Sequence, residues 1–457
     1  MPRLARLVLW GPYDDEEDED EDEHDADDRD AVDQYAEIHH TNDRAPSVQD
    51  RSASRNRDLE LDELAAWLVE LPAFHTAILE RPLARRWSEA PAMRESPWRV
   101  PALATNKELA VWLGTSVDAL TALADVRNIS RSARKQRRRH YRYTWIAKQH
   151  GYRLLEAPKP RLRQLQRYVL DGIIARIPPH AAAHGFRTGH SIATAAAAHV
   201  GREVVIRLDL RAFFTSVSGA QVAAIFRTAG YPAAVAQTLA ALCTHRTPSD
   251  VIRCRPRGPR IGSPLDVAAP LDPRSRAMGS PPDVRADDAR LRRRHLPQGA
   301  PSSGALANLA AHRFDVRLHA LAVSLGATYT RYADDIAISG SRDLARNAPT
   351  IIARAGAIAI EQGFELNFRK TRVMTAGKRQ LLTGLVVNDK LAVPRADVEQ
   401  LRAILHNCAR TGPATQNRDD HPDFRAHLLG RIGWVASIDA GKGARLRSIF
   451  DRIVWPD

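Results

Sequence analysis

The stretch Thr328-Tyr329-Thr330-Arg331-Tyr332-Ala333-Asp334-Asp335-Ile336-Ala337-Ile338-Ser339 sets two adjacent carboxylates between short runs rich in β-branched and apolar residues. Such runs read as strands, and the acids between them as the tip of a tight hairpin. Two strands alone are not stable in water, so the chain must build a sheet behind this tip from strands brought from elsewhere. Val204-Val205-Ile206-Arg207-Leu208-Asp209-Leu210 is the best donor, an apolar run long enough for a buried strand with one acid near its end. A carboxylate there is expensive unless something cationic neutralises it. If the two strands pair, Asp209 and Asp334 can share Mg2+, a hard cation that takes carboxylate oxygens together with substrate phosphates. An Asp-Asp pair in a turn is also common for a plainer reason, because Asp tolerates turn conformations and hydrogen-bonds its own backbone. What else the chain carries decides between the two.

Four segments occur in series: Leu208-Asp209-Leu210-Arg211-Ala212-Phe213-Phe214, Leu296-Pro297-Gln298-Gly299-Ala300-Pro301-Ser302-Ser303, Tyr332-Ala333-Asp334-Asp335 and Leu366-Asn367-Phe368-Arg369-Lys370-Thr371. Their order and approximate spacing resemble the palm of reverse transcriptases, and the resemblance extends over about residues 100–455. It implies an α+β right-hand polymerase fold: fingers, a palm whose antiparallel sheet has helices on one face, and a small helical thumb, with an N-terminal helical extension. The activity implied is RNA-directed DNA polymerisation, a nucleotidyl transfer using two Mg2+ ions, with Mn2+ an alternative.

By that resemblance Asp209 and Asp334 are the main metal ligands, and Asp335 supports them or the primer end. Lys370 is placed to protonate the departing pyrophosphate, where a general acid stabilises developing charge. Phe214 stands as a steric gate that favours dNTPs by excluding a 2'-hydroxyl. Gln298 and Gly299 border the nucleotide, the small residues of that motif allowing close backbone approach; Gly304 stands where many relatives have Pro. Arg153, in Gly151-Tyr152-Arg153-Leu154-Leu155-Glu156, matches the fingers residue that meets the nucleotide's phosphates, and Arg163 or Arg167 the one that meets the template backbone.

The retron branch of the class is the one most resembled. Thr105-Asn106-Lys107-Glu108 opens a helix with a capping box, and Ser116 caps a second; this pair resembles the N-terminal element of retron enzymes. An Ala-rich helix ending at His199 resembles a retron-typical region in which an Asn-Ala pair stands ahead of a His. Ala195-Ala196 takes the pair's place here, so His199 matches and the Asn does not. Leu382-Thr383-Gly384 resembles a Val-Thr-Gly segment beside the primer grip. His199, Thr383 and Gly384 are therefore expected at the nucleic acid. The retron branch implies a cognate structured RNA as template and primer, an msDNA product in which DNA is branched from RNA, and anti-phage defence with an effector protein. Two alternatives stay open: a diversity-generating or phage-exclusion reverse transcriptase, and a non-catalytic RNA-binding scaffold of the same fold.

Charge agrees with a polyanionic partner. The chain carries +13 over 457 residues even though residues 14–33 hold 15 acids against one Arg, so the rest is more basic still. Residues 1–57 read as a disordered acidic tail, too poor in large apolar residues to bury a core. Residues 58–145 read as the N-terminal helical extension. It contains apolar positions at helical spacing over 58–82 and a basic run in which Arg137 and Arg138 lie near Tyr141, Tyr143 and Trp145, a pairing of cations with stacking rings that suits RNA. Fingers and palm are expected over 146–385, with the irregular Pro- and Arg-rich stretch 246–295 as a surface insertion. The thumb is expected over 386–457, which leaves no room for a ribonuclease H, integrase or endonuclease domain. No run approaches the roughly 18 apolar residues of a membrane span, and the N-terminus turns acidic too soon for a secretory signal. A cytoplasmic protein with no membrane partner is the expectation. Cys243, Cys254 and Cys408 follow no metal-ligand spacing and read as free thiols.

Overall fold

The computed structural model describes residues 92–126, 128–133, 139–147, 152–256 and 284–455. The acidic tail 1–57, the helical stretch 58–82 and the basic pair Arg137 and Arg138 lie outside the described residues. Two short helices come first, α1 (Asn106–Trp112) and α2 (Val117–Ala124). Thr105 caps α1 by accepting from the Glu108 N–H at 3.2 Å, while Glu108 reaches back to the Ala104 N–H at 2.7 Å, one residue short of a regular capping box. Ser116 accepts from the Ala119 N–H and starts α2. Leu109, Leu113 and Leu120 are buried in the main core, so this pair packs as part of it.

The hairpin β1 (Tyr141–Ala147) and β2 (Tyr152–Pro158) is antiparallel, with Arg153 opposite Ile146. It begins before residue 146, so the expected boundary between extension and fingers cuts through its first strand. Helix α3 (Pro160–Gly172) starts on a proline, buries Leu162, Leu165, Gln166 and Val169, and leaves Arg163 and Arg167 exposed. A short helix, α4 (Ile192–Ala197), precedes β3 (Val204–Asp209). After it come α5 (Phe213–Ser216), α6 (Gly219–Thr228), α7 (Ala233–Cys243), α8 (Ser249–Arg253) and α9 (Val284–Leu291). Then follow α10 (Ser303–Ala310), α11 (His312–Ser324), β4 (Thr328–Tyr332), β5 (Asp335–Gly340), α12 (Asp343–Glu361) and β6 (Arg372–Thr375). Helices α10 and α11 are divided at Ala311.

Strands β4, β5, β3 and β6 pair in that order, each pair antiparallel. Val204, Ile206 and Leu208 join the core under α11 and α12, while Val205 and Ala337 join a second cluster with Ile192 and Ala196 of α4. Burial on both faces is why β3 reads as a continuous apolar run and not as an alternating one. Helices on one face is thus an incomplete expectation, because α4 covers part of the other. Phe364–Asn367 contributes only an isolated bridge between Leu210 and Leu366.

The second cluster continues into the C-terminal part: β7 (Leu381–Leu382), β8 (Leu385–Val386), α13 (Arg395–Thr411), α14 (Phe424–Ile438) and α15 (Ala440–Phe450). Leu401, Leu405, Leu428, Ile432, Leu446 and Phe450 hold these helices together. The stretch 246–295 is shorter as an insertion than its composition implies. His245 and His295 are buried and bridge one another, and Thr247 is buried beside them. Both ends of the stretch are therefore core, and residues 257–283 lie outside the described residues.

Candidate active site

Ala333 and Asp334 make the two-residue turn between β4 and β5, with Ala333 in the left-handed region at φ +54°. A non-glycine residue there is strained and persists only where its surroundings over-determine it. Arg331, fully buried, does so. It donates from Nη1 to the Ala333 carbonyl at 3.0 Å and to Asn308 Oδ1 at 3.0 Å, and its Nε and Nη2 grip the Asp315 carboxylate at 2.7 and 2.6 Å. The Tyr329 hydroxyl donates to the same carboxylate at 2.6 Å. Gly185 closes the back of the turn: a Cβ there would lie 2.8 Å from the Ala333 nitrogen, and its carbonyl accepts from Asn308 Nδ2 at 2.6 Å.

The register of β3 on β5 sets Asp209 opposite Asp335, and the Leu210 N–H donates to the Asp334 carbonyl at 2.8 Å. Acids far apart in sequence thus meet at one end of the sheet. Asp209 is almost fully buried, and burial first, then the charge of Asp334, push its carboxyl up to about 6. The ammonium of Lys370 works against that shift from 2.7 Å. Asp335 is also raised, by burial foremost, with Arg207 opposing; Arg207 donates Nη2 and Nε to its Oδ1 at 2.7 and 3.1 Å.

These facts test whether a divalent cation suits the site. Asp209 and Asp334 are carboxylates whose charges act on one another, and among the described residues the cation on Asp209 is Lys370, a half-exposed lysine on a flexible stem. That donor set fits a hard cation completed by phosphate oxygens. Of the three acids, Asp335 is the one whose Oδ1 carries the Arg207 guanidinium. Among the described residues no three Asp, Glu, His or Cys side chains form a ready metal cage.

The other expected residues fall on both sides of this centre. Phe214 is half-buried, 5.7 Å from Phe186 in an edge-on contact. Phe186 itself has φ +54° and is half exposed. A Cβ at Gly304 would run into the Phe186 ring, so proline could not stand there without moving it. The Gln298 carbonyl accepts from the Glu156 N–H at 2.7 Å, and Gly299, at φ +131°, passes so close to Glu156 that a Cβ would lie 2.9 Å from its carbonyl oxygen. Arg153 is half-buried on β2, and its buried Nε has no hydrogen-bond partner among the described residues. Thr383 and Gly384, both at positive φ, form the two-residue turn between β7 and β8. Thr383 lines a small cavity with Arg207, Asp335 and Tyr332.

His199 is corrected. It is fully buried, with Nδ1 2.6 Å from Ser339 Oγ and Nε2 2.7 Å from Thr330 Oγ1, so it bolts β4 to β5 from behind and has no surface to offer a nucleic acid. The residues not singled out from the sequence are Arg207, Asp315, Arg331, Phe186, Glu156 and His295. Arg207 and Arg331 did leave a signal: each is a charged residue two or three positions from a site acid within an apolar strand.

Comparison with known proteins gives the family. Residues 146–387 match the family described as reverse transcriptase (RNA-dependent DNA polymerase). The chain is 37% identical over 353 residues to the retron Mx65 reverse transcriptase of Myxococcus xanthus, covering 76% of this chain and 71% of that one. It is 34% identical over 356 residues to the retron Mx162 reverse transcriptase of the same organism, covering 75% of this chain and 65% of the other. With the retron Ec86 reverse transcriptase of Escherichia coli the identity is 24% over 307 residues, 66% of this chain and 76% of that one. The chain belongs to the reverse transcriptase family, among its retron-type members.

Proposed function

We propose that this chain copies a cognate structured RNA into single-stranded DNA that stays joined to it through a branch, using Asp209 and Asp334 as its principal acids. The observation that carries the reading is the strand register that sets Asp209 beside the Asp334-Asp335 turn. A pair of divalent cations, Mg2+ by preference, supplies when bound the activation of the primer hydroxyl and the neutralisation of the leaving pyrophosphate. Asp209 and Asp334 would hold them. Arg207 opposes the rise that burial imposes on Asp335 and aligns its carboxylate, leaving it to steady the other two acids or the primer end. Arg153 from the fingers hairpin and Gln298 from the facing loop take the nucleotide's phosphates and sugar, and Phe214 excludes a 2'-hydroxyl. Lys370, once released from Asp209, is free to give a proton to the leaving group. Arg163 and Arg167, exposed on one face of α3, suit a template backbone. A defence role with an effector protein rests on family membership alone.

The test is to express the protein with its own genomic flanks, isolate the nucleic acid bound to it, and sequence both strands. DNA of fixed length joined to RNA by a 2' branch is expected, and is lost in the D334N/D335N variant. Linear DNA of mixed length points to another bacterial reverse transcriptase. A protein that carries RNA but extends no primer in Mg2+ is a binding scaffold, and the proposal fails.

A further inference from the structure

Glu156 and His295 form an ion pair that the catalytic reading leaves unused. Each side chain is about 1% exposed, and His295 Nε2 lies 2.8 Å from Glu156 Oε2. The other ring nitrogen, Nδ1, lies 2.8 Å from the Arg293 carbonyl oxygen. With Glu156 ionised, both nitrogens face oxygens that only accept, and an imidazole that satisfies both carries both protons. The second Glu156 oxygen accepts from the Thr247 hydroxyl at 2.6 Å. Burial resists both charges, yet the pair holds the glutamate below and the histidine above its ordinary value. His245, 2.8 Å from the Tyr143 hydroxyl, is pushed down to about 3 by burial and stands neutral beside them.

The position of the pair gives it meaning. Glu156 is on β2, three residues after Arg153; His295 is three residues before Gln298. The Glu156 N–H donates to the Gln298 carbonyl, and Gly299 lies against the Glu156 carbonyl with no room for a side chain. We propose that Glu156 and His295 are positioning residues for the incoming nucleotide: a buried charged clasp that locks the fingers hairpin bearing Arg153 to the loop bearing Gln298 and Gly299. The inference rests on the placement of the nucleotide between Arg153 and Gln298. Neither clasp residue touches substrate; both fix the distance between residues that do.

The expected signature is a change in nucleotide KM with little change in kcat at saturating dNTP, since the acids and Lys370 lie on other elements. KM does not depend on what fraction of a preparation is folded, so the readout survives a loss of stability. E156Q and H295Q should each raise KM for dNTP by about tenfold or more, a displacement of positioning groups by a fraction of an ångström being enough, while the affinity for template-primer RNA stays within about twofold. The double variant E156M/H295M removes both charges and fills the space with apolar side chains, which restores stability to many buried pairs. KM should remain raised in it. R153A and Q298A, measured in the same assay, separate the two ideas. If they leave KM unchanged, the placement of the nucleotide is wrong and the proposal falls with it. If they raise KM while E156Q and H295Q do not, or if E156M/H295M returns KM to the wild-type value, the clasp only stabilises the fold and the proposal is overturned.

Discussion

Two carboxylate–cation pairs flank the same hairpin, and they could hardly differ more. Asp315 and Arg331 meet at 2.6 Å with both side chains 0% exposed, and Tyr329, Asn308 and the Ala333 carbonyl hydrogen-bond to the pair as well. Asp209 and Lys370 meet at 2.7 Å, but the acid is 4% exposed and the lysine 55%. Distance alone would rank them as equals. The difference is what surrounds them: a guanidinium fork with no route to water cannot exchange, whereas an ammonium on a flexible stem, half in solvent, yields its place to another cation at small cost. The first pair holds the strained turn at Ala333, and the second leaves a buried carboxylate compensated by a cation that solvent can reach.

Removing the acid of each pair should therefore give opposite outcomes. Asp209→Asn should lower single-turnover primer extension by about a thousandfold or more, the several kcal/mol that charge stabilisation at a metal site supplies, while its melting temperature rises because a penalised buried charge is gone. Asp315→Asn should do the reverse to stability, costing about 3–5 kcal/mol by leaving the Arg331 guanidinium buried without its counter-charge. Chemical denaturation of the two variants side by side measures this. A destabilised Asp209→Asn protein, or an Asp315→Asn protein as stable as the wild type, would erase the distinction between the pairs.

The exchangeable pair was the more legible of the two. Asp209, Asp334 and Lys370 each sit in a motif whose residue type has a chemical reason, and an isolated acid at the end of an apolar run is visible from composition alone. Asp315 was invisible: one acid in a helix that also carries Arg313, Arg317 and two histidines looks like a solvated face. Burial of polar residues is what sequence patterns hide best. The same holds for His245, Thr247 and His295, whose polarity made the ends of the 246–295 stretch look like surface loop. His199 has its partners Thr330 and Ser339 more than a hundred residues downstream, and nothing local reveals that contact. The elements most legible in a sequence are those such as α12 and α13, long amphipathic helices whose period is written in one segment.

Lys370→Met sharpens the comparison by removing the exchangeable cation and leaving the acid. Stability should change by no more than about 1 kcal/mol, as for other half-exposed ion pairs. The rate of nucleotide addition should fall by about a hundredfold if the lysine also serves as general acid. A rate within twofold of wild type would leave Lys370 as a charge placeholder and nothing more.

The smallest effect is a pH dependence that reads the compensation of Asp209 directly. Its folded-state value of about 6 lies above the ordinary 3.8, burial being the main cause. Between those values the folded protein binds more protons than the unfolded chain, so this residue's contribution to stability falls as pH rises from about 4 to about 6 and is flat above. Melting of the metal-free wild type and of Asp209→Asn across that range isolates the contribution. The variant should gain on the wild type by up to about 2–3 kcal/mol and then hold a constant lead. In Lys370→Met the upper end of the window should move above 6, because the amine is what draws it down. Saturating Mg2+ should shrink the lead, since a cation on the carboxylate relieves the same charge. A lead that Mg2+ leaves untouched would mean that Asp209 is compensated by Lys370 alone, and that its pair is as permanent as the one between Asp315 and Arg331.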